Sequence, residues 1–421
     1  MEKRNAVITG LGFITSIGNN ADEVADSLIH LKNGIELYPP FAGDKIPVKC
    51  VGTVKGFDIE SEDCEDWKYP PEYQVRRDVM RGLSPHGLYA HCAMKQAVAD
   101  AGLSDAEVSN TATGVYTASA GSTRMLFNNM LRLDKVGTAR SNPFGIVASI
   151  VGTLSFNIVS AFKIKGASCG FASACASSSH ALGFAVDEIL NGRQDRMFVV
   201  GAEDGDYRTL LPFAGMRALS TSADPETASR PFDKKRDGFV GCGGAAVIVL
   251  EDEQTARARG AKIYARVLGW GQASDGYSVA IPHPEGEGVA NAARNALKYS
   301  GISAEDVDYI NAHATSTPIG DGIELKAIKN VFGTNPKLEI SSTKGITGHG
   351  LSLAGAMEAA FCALAIRRGF TPGSAHISEL DPAAEGLNIL RETRMTGPKV
   401  AVSLSSGFGG ANTAVVMEKA D

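Results

Sequence analysis

The sequence predicts a duplicated α/β protein with two sheets packed through buried helices, and three observations carry that prediction. A helix end, a glycine, a Leu or Ile and a Ser-led acidic stretch occur twice, at Gly102-Leu103-Ser104 and Gly301-Ile302-Ser303, each followed by an apolar run. GGAAVIVLE, from Gly243 to Glu251, is answered by GGANTAVVME, from Gly409 to Glu418. Strand-like and helix-like periods alternate between these landmarks, as layered α/β folds require. The charged stretch EDEQTARARGAK joins the copies, so residues 1–255 are expected to form one half and residues 256–421 the other.

Taken in order, AVITGLGFITSIG at 6–18 reads as a buried strand and a Gly-rich turn. It lacks the third glycine and the downstream acid of a dinucleotide site, so a packing turn is expected. Residues 38–75 have no sustained period and read as a surface excursion. Gln74 to Gly102 is helical, with Ala93, Met94, Ala97 and Val98 on one face. The stretch ASCGFASACASSSHALGFAVDEILNG, from Ala167 to Gly192, begins as a buried strand reaching about Ala172. From Ala176 it turns helical, with Ala181, Leu182, Ala185 and Ile189 at helical spacing. Cys175 is thereby placed where a strand becomes a helix. Unpaired amides and the positive end of the helix dipole there favour a thiolate, the nucleophilic form.

The chain is 421 residues long and 44% hydrophobic, enough for a large core. A formal charge of -6 argues against general affinity for nucleic acid, which needs a basic footprint. Seven cysteines, scattered and free of any CxxC, indicate neither a disulfide framework nor a zinc ribbon and fit a reducing cytoplasm. The chain enters AVITGLG at Ala6 without a secretory signal pattern, and no apolar run reaches membrane-spanning length.

Three later segments carry histidine or lysine among glycine and hydroxyl residues: NAHATSTPIGDGIEL at 311–325, SSTKGITGH at 341–349 and SSGFGGANT at 405–413. With SACASSSH, the opening AVITGLGFITSIGNN, ALSTSADPETASRPFDKKRDGFV at 218–240, HPEGEG at 283–288 and SELDPAAEGLNIL at 378–390, they resemble the β-ketoacyl carrier-protein synthases of the thiolase superfamily, type I most closely. The likeness covers nearly the whole chain. It implies a thiolase-like duplicated fold of two mixed sheets in a layered αβαβα arrangement, and a decarboxylative Claisen condensation of a cysteine-bound acyl group with malonyl carrier protein.

The resemblance matches Cys175 to the nucleophile and the amides of Cys175 and Phe408 to the oxyanion hole, with the Phe408 ring gating the acyl pocket. His313 and His349 match two histidines whose ring N–H groups hold the malonyl thioester carbonyl. Each needs an acceptor to fix its tautomer, because a neutral imidazole donates from one nitrogen only. Lys344 with Glu324 would form a charged support for the second histidine, with Asp321 in the same motif. Thr315 and Thr317 match hydroxyls that bind the phosphopantetheine arm, which the acyl carrier protein supplies; no bound cofactor or metal is implied. Arg77 and Arg81 match part of a carrier-docking patch, with Arg132 and Lys135 as additions, but Asp78 falls where a base is expected. Ser406 replaces the Phe usual in fatty-acid enzymes, as in many aromatic-polyketide ketosynthases. His180, five residues after the nucleophile, is read as structural support, and Cys242 as incidental.

Two rival readings share the fold. A non-catalytic chain-length partner of a heterodimeric ketosynthase would lack the nucleophile, whereas Cys175, His313, His349 and Lys344 are all present. A degradative thiolase needs a second cysteine in the C-terminal half, where Cys362 is the sole candidate and falls mid-helix. The resemblance also implies a dimer, with itself or with an inert relative, through the edge strands of the N-terminal half, and exposed long edges are otherwise a liability.

Overall fold

The computed structural model describes residues 4–420. Its strands are β1 (Ala6–Ile14), β2 (Ile35–Leu37), β3 (Cys50–Gly52), β4 (Thr113–Ala118), β5 (Ser168–Phe171), β6 (Arg196–Glu203), β7 (Gly244–Asp252), β8 (Ala265–Ser274), β9 (Tyr309–Asn311), β10 (Glu339–Ser341), β11 (Asn388–Ile389), β12 (Val400–Gly407) and β13 (Ala411–Glu418). The helices that position the site are α1 (Pro85–Asp100), α2 (Thr123–Val136), α3 (Ser177–Leu190), α4 (Glu287–Ser300), α5 (Pro318–Phe332) and α6 (Ala354–Arg368).

The duplication read from the sequence is written into the strand order. In the first copy the order is β1-β7-β6-β4-β5, and in the second β8-β13-β12-β9-β10, with β11 added at the far edge. In each copy the first two pairings are antiparallel and the next two parallel. The copies also share capping boxes: Ser104 with Glu107 before β4, and Ser303 with Asp306 before β9. The two mixed sheets meet where β1 pairs antiparallel with β8 through Ala6↔Val267, Val7↔Arg266 and Ile8↔Ala265, so hydrogen bonding runs on through eleven strands.

Three apolar clusters define five layers. Helices α3 and α6 lie between the sheets, and residues 354–366 of α6 are buried along their whole length. Helix α1 covers the outer face of the first sheet, and α4 with α5 that of the second. Gly10 and Gly12, read as a packing turn, lie inside β1 instead, where they allow close packing: a Cβ on Gly12 would collide with the Ala93 carbonyl of α1. Residues 38–75 form an excursion that folds down, burying Trp67 and Tyr73 against the α1 cluster.

One strand departs from expectation. β5, read as buried, is the edge of the sheet, with Ser168 and Cys169 exposed. Its small residues reflect the tight turn that follows it. Beside this edge, half of the exposed large hydrophobic side chains of the described chain fall between residues 126 and 156, including Phe127, Met130 and Leu131 of α2 and Phe144, Ile146 and Phe156 beyond it.

Candidate active site

Cys175 lies in the turn between β5 and α3, as the sequence predicts. The turn is tight: Ala174 has φ of 50°, left-handed for a residue with a Cβ. Ser177 Oγ stabilises it by accepting from the Ser173 amide (2.8 Å) and donating to the Ala174 carbonyl (2.6 Å). The end of β12 presses on it, and a Cβ on Gly407 would sit 3.0 Å from the Cys175 amide nitrogen. Phe408, the next residue, is thereby brought to the nucleophile. His180 is the structural support expected of it, with Nδ1 2.8 Å from Ser173 Oγ and Nε2 3.1 Å from Gln272 Oε1 of the second copy.

The surroundings of Cys175 work against the expected thiolate. Burial pushes the Cys175 thiol up to about 12, with the Lys344 charge pulling the other way and that of Glu203 adding to the rise. Cys175 is half-buried, and desolvation of its sulfur opposes the favourable amides. Glu203 was not legible in the sequence. It is a buried carboxyl at the end of β6 that accepts from the amides of Ala120 (2.9 Å) and Ser352 (3.3 Å), and burial pushes it up to about 8.

The second copy contributes the other groups. His313 follows β9, and His349 lies between β10 and α6, the position in its copy that Cys175 holds in the first. Their rings stand edge to face with centroids 5.1 Å apart. Burial and the nearby Lys344 charge hold both well below the usual imidazole range, so both are neutral. The Nδ1 atoms of both rings are buried without a protein partner, so the expected tautomer-fixing acceptor is not a side chain or carbonyl of the described residues. His349 is held through its backbone, its amide donating to Val240 (2.6 Å) and its carbonyl accepting from Cys242 (3.0 Å). Cys242 thus stands at an anchor point of the second histidine.

Rings run on from His349 to Phe239 (5.4 Å), Phe213 (5.5 Å) and Phe408 (6.0 Å), and Cys175 packs in the apolar cluster that holds Phe213 and Phe239. Cys175, His313, His349, Lys344 and Phe408 are therefore gathered from distant parts of the chain.

The expected Lys344–Glu324 pair is not formed. Lys344 pairs with Glu358 of α6, both side chains fully buried. Glu324, on α5, instead receives the amides of His313 (2.7 Å) and Ala314 (2.6 Å). It fixes the first histidine through the main chain. Glu358 could have been noticed as the sole carboxylate in the apolar run AGAMEAAFCALA. Asp321 is buried, accepts from the Phe232 amide (3.0 Å), and is pushed up to about 6 by burial against the pull of Arg236. Thr315 and Thr317 hydroxyls lie 3.1 Å apart, and Thr317 makes no side-chain cap bond to α5 although it occupies the cap position. Ser406 is half-buried on β12, paired with Asn412.

The docking arginines are less free than expected, because Arg77 (2.6 Å) and Arg81 (3.5 Å) share Glu65, while Arg76 pairs with Asp78. Arg132 donates to the Arg140 carbonyl (3.0 Å) on the exposed side of α2, which also carries Lys135. Among the described residues no group of three or more His, Cys, Asp or Glu is placed to hold a metal ion, and no helix is long and apolar enough to cross a membrane.

Fold and site together define an acyltransferase that forms carbon–carbon bonds. The β-ketoacyl synthase N-terminal domain matches residues 3–256, and the β-ketoacyl synthase C-terminal domain matches residues 264–378. The chain is 40% identical over 425 residues to 3-oxoacyl-[acyl-carrier-protein] synthase 1 of Haemophilus influenzae, covering 99% of each. A crystal structure of a β-ketoacyl synthase from Burkholderia phymatum superposes with a TM-score of 0.91 at 31% identity, over 99% of this chain and 100% of the other. The ishigamide ketosynthase/chain length factor gives a TM-score of 0.88 at 26% identity over 100% of each. The chain belongs to the β-ketoacyl synthase family.

Proposed function

We propose that Cys175 takes an acyl group from an acyl carrier protein and condenses it with malonyl carrier protein, giving a β-ketoacyl carrier protein and carbon dioxide. The observation that carries this reading is the pair of neutral histidines, ring against ring, with Phe239 linking His349 to the apolar cluster in which the half-buried Cys175 packs. In the first half-reaction the Cys175 sulfur attacks the thioester carbonyl, and the oxyanion is held by the amides of Cys175 and Phe408. The thiol proton passes to the departing pantetheine sulfur. In the second, the malonyl C–C bond to the carboxylate breaks, and the ring N–H groups of His313 and His349 stabilise the enolate on the thioester oxygen. The enolate carbon attacks the acyl group, and the Cys175 sulfur leaves and regains a proton. Burial keeps both rings neutral and the Lys344 charge reinforces it; Glu324 and Asp321 hold the loop that carries His313, and Thr315 and Thr317 receive the pantetheine arm.

In this reading residues 1–255 supply the nucleophile and residues 256–421 the histidines and lysine, in the cytoplasm. Carrier docking by Arg77 and Arg81 must displace Glu65, so Arg132 and Lys135 share the task. A thiolase reading is disfavoured, since Cys362 is fully buried in the middle of α6, outside any turn. Intact mass of Cys175 after incubation with a panel of acyl carrier proteins, with carbon dioxide release from malonyl carrier protein, tests the assignment.

A second copy, or an inert chain-length partner as in the ishigamide ketosynthase/chain length factor, would cover the apolar face of α2 and pair with the β5 edge. Sedimentation of the pure protein should give a dimer; a fully active monomer would contradict this. Substrate class is read from Ser406. A Phe at this half-buried position would bury a ring worth roughly 1.5 to 3 kcal/mol, enough to change chain preference about tenfold. We expect native enzyme to accept conjugated polyene or polyketide acyl chains that Ser406→Phe disfavours by about this factor. A competition between saturated and conjugated acyl carrier proteins for Cys175 measures it, and identical preferences in two folded proteins would mean that neighbouring side chains already close the mouth.

A further inference from the structure

The segment ASRPFDKKRDGFV is one of the motifs that mark the sequence, yet nothing above gives it a task. Its Arg236 is buried, with 3% of the side chain exposed, and belongs to the first copy of the duplication. The guanidinium spends its donors on the second copy and on its own loop. Nε donates to the Thr317 carbonyl (3.0 Å) and Nη2 to the Pro318 carbonyl (2.7 Å). Nη1 donates to the Asp233 carbonyl (2.9 Å) and to Asp381 (2.6 Å), and Nε lies 3.4 Å from Asp321. Around it the Arg230 amide donates to Ser316 Oγ (3.0 Å), the Gly238 amide to the Ser316 carbonyl (3.1 Å), and the Phe232 amide to Asp321 (3.0 Å).

Helix stability does not explain this placement. A cation at the first turn of α5 opposes the helix dipole, and two carboxylates, Asp321 and Asp381, are present to offset it. What the guanidinium gains is the fixed direction of two adjacent carbonyls, a task that suits its planar fork and not an ammonium. Those carbonyls close the loop 313–318, which carries His313, Thr315 and Thr317 and passes through Ser316 at φ of 73°. Glu324 holds the start of the loop at the amides of His313 and Ala314, and Arg236 holds its end.

We propose that Arg236 is a positioning residue: by clamping the carbonyls of Thr317 and Pro318 it aims the Thr315 and Thr317 hydroxyls and the His313 ring at the incoming pantetheine thioester. The inference rests on the condensing activity proposed above. It predicts a selective defect, because Cys175 stands on a different loop anchored by Ser177 and His180. In Arg236→Lys, kcat/KM for condensation with malonyl carrier protein should fall about 100-fold, the scale of a misplacement of about 1 Å, with KM for the carrier raised. Alkylation of Cys175 by iodoacetamide, which needs no pantetheine contact, should stay within about twofold of native. Asp381→Asn, at a partly exposed partner, should give a smaller defect of the same kind and serves if Arg236→Lys does not fold. Native-like condensation in either folded variant, or condensation and alkylation falling in parallel, would overturn the proposal. Native enzyme run alongside keeps the two inferences apart: if it does not condense, the function is wrong; if it condenses and the variants match it, only the role of Arg236 is.

Discussion

Cys175→Ala is expected to lose acyl loading outright and condensation by at least about 10⁴-fold, whereas His313→Ala should load normally and stall. The split follows from where the groups stand. In the proposed mechanism the nucleophile and its oxyanion donors belong to the β5–α3 turn and the end of β12, while His313 belongs to the loop after β9 and acts on the malonyl thioester. Losing one donor to a developing oxyanion costs about 10² to 10³ in rate, so His313→Ala should accumulate an acyl-enzyme visible by intact mass and release carbon dioxide slowly. Normal product formation by Cys175→Ala would remove the basis of the assignment. Equal failure of His313→Ala in both half-reactions would move that residue from decarboxylation to loading.

Lys344→Met is expected to lose about 3–5 kcal/mol of stability as well as activity, because it leaves the Glu358 carboxyl buried and unpaired. Burial already pushes Glu358 up to about 7 and only Lys344 restrains it, so the orphaned acid should take up a proton on folding. Lys344→Met combined with Glu358→Met removes both charges and should recover most of the stability, since two well-packed apolar side chains can replace a buried pair. It should not recover activity. With the Lys344 charge gone, His313 and His349 lose one of the influences that keep them neutral, and the Cys175 thiol loses the larger of the influences that lower it. Urea unfolding of both variants with parallel condensation assays checks this, and equal stability of the single and double variants would contradict it.

The duplication was legible because its signals are local. A glycine stop, a serine cap with an acid three residues on and an alternating apolar run each follow from the residues that form them, and each appears twice. The turn that carries Cys175 was legible for a similar reason, a change from strand to helix period around one cysteine. What stayed hidden depends on distance through space. Nothing in the sequence tells Lys344 to choose Glu358 over Glu324, because the choice depends on α6 running between the sheets while α5 lies outside them. The pressure against the thiolate was missed for the same reason: the helix end is visible in the sequence, but the apolar cluster of Phe213 and Phe239 that desolvates the sulfur is assembled from remote segments. β5 reads as buried because small residues suit both a core and a cramped turn.

The seam between β1 and β8 has a mechanical consequence. Three residue pairs join two sheets that already share α3 and α6 as a common filling, so the halves cannot swing apart as a clamshell without breaking backbone hydrogen bonds and opening the largest core cluster. On the proposed function, the acyl chain is therefore expected to be admitted by something smaller than a half. The stretch after β12 is built for that: Gly409 and Gly410 take φ of 80° and 76°, Phe408 is partly exposed, and the Gly409 amide is tethered to Val279 by one hydrogen bond of 2.7 Å. The Gly410 carbonyl also accepts from the Asp275 amide (2.9 Å) and Asn412 Nδ2 (2.9 Å), yet releasing these few bonds is a lower barrier than unzipping the seam and opening the core. Substrate entry in this molecule is a local event on a stiff frame, and its rate should follow substitutions at Gly409 while leaving the melting temperature of the frame unchanged.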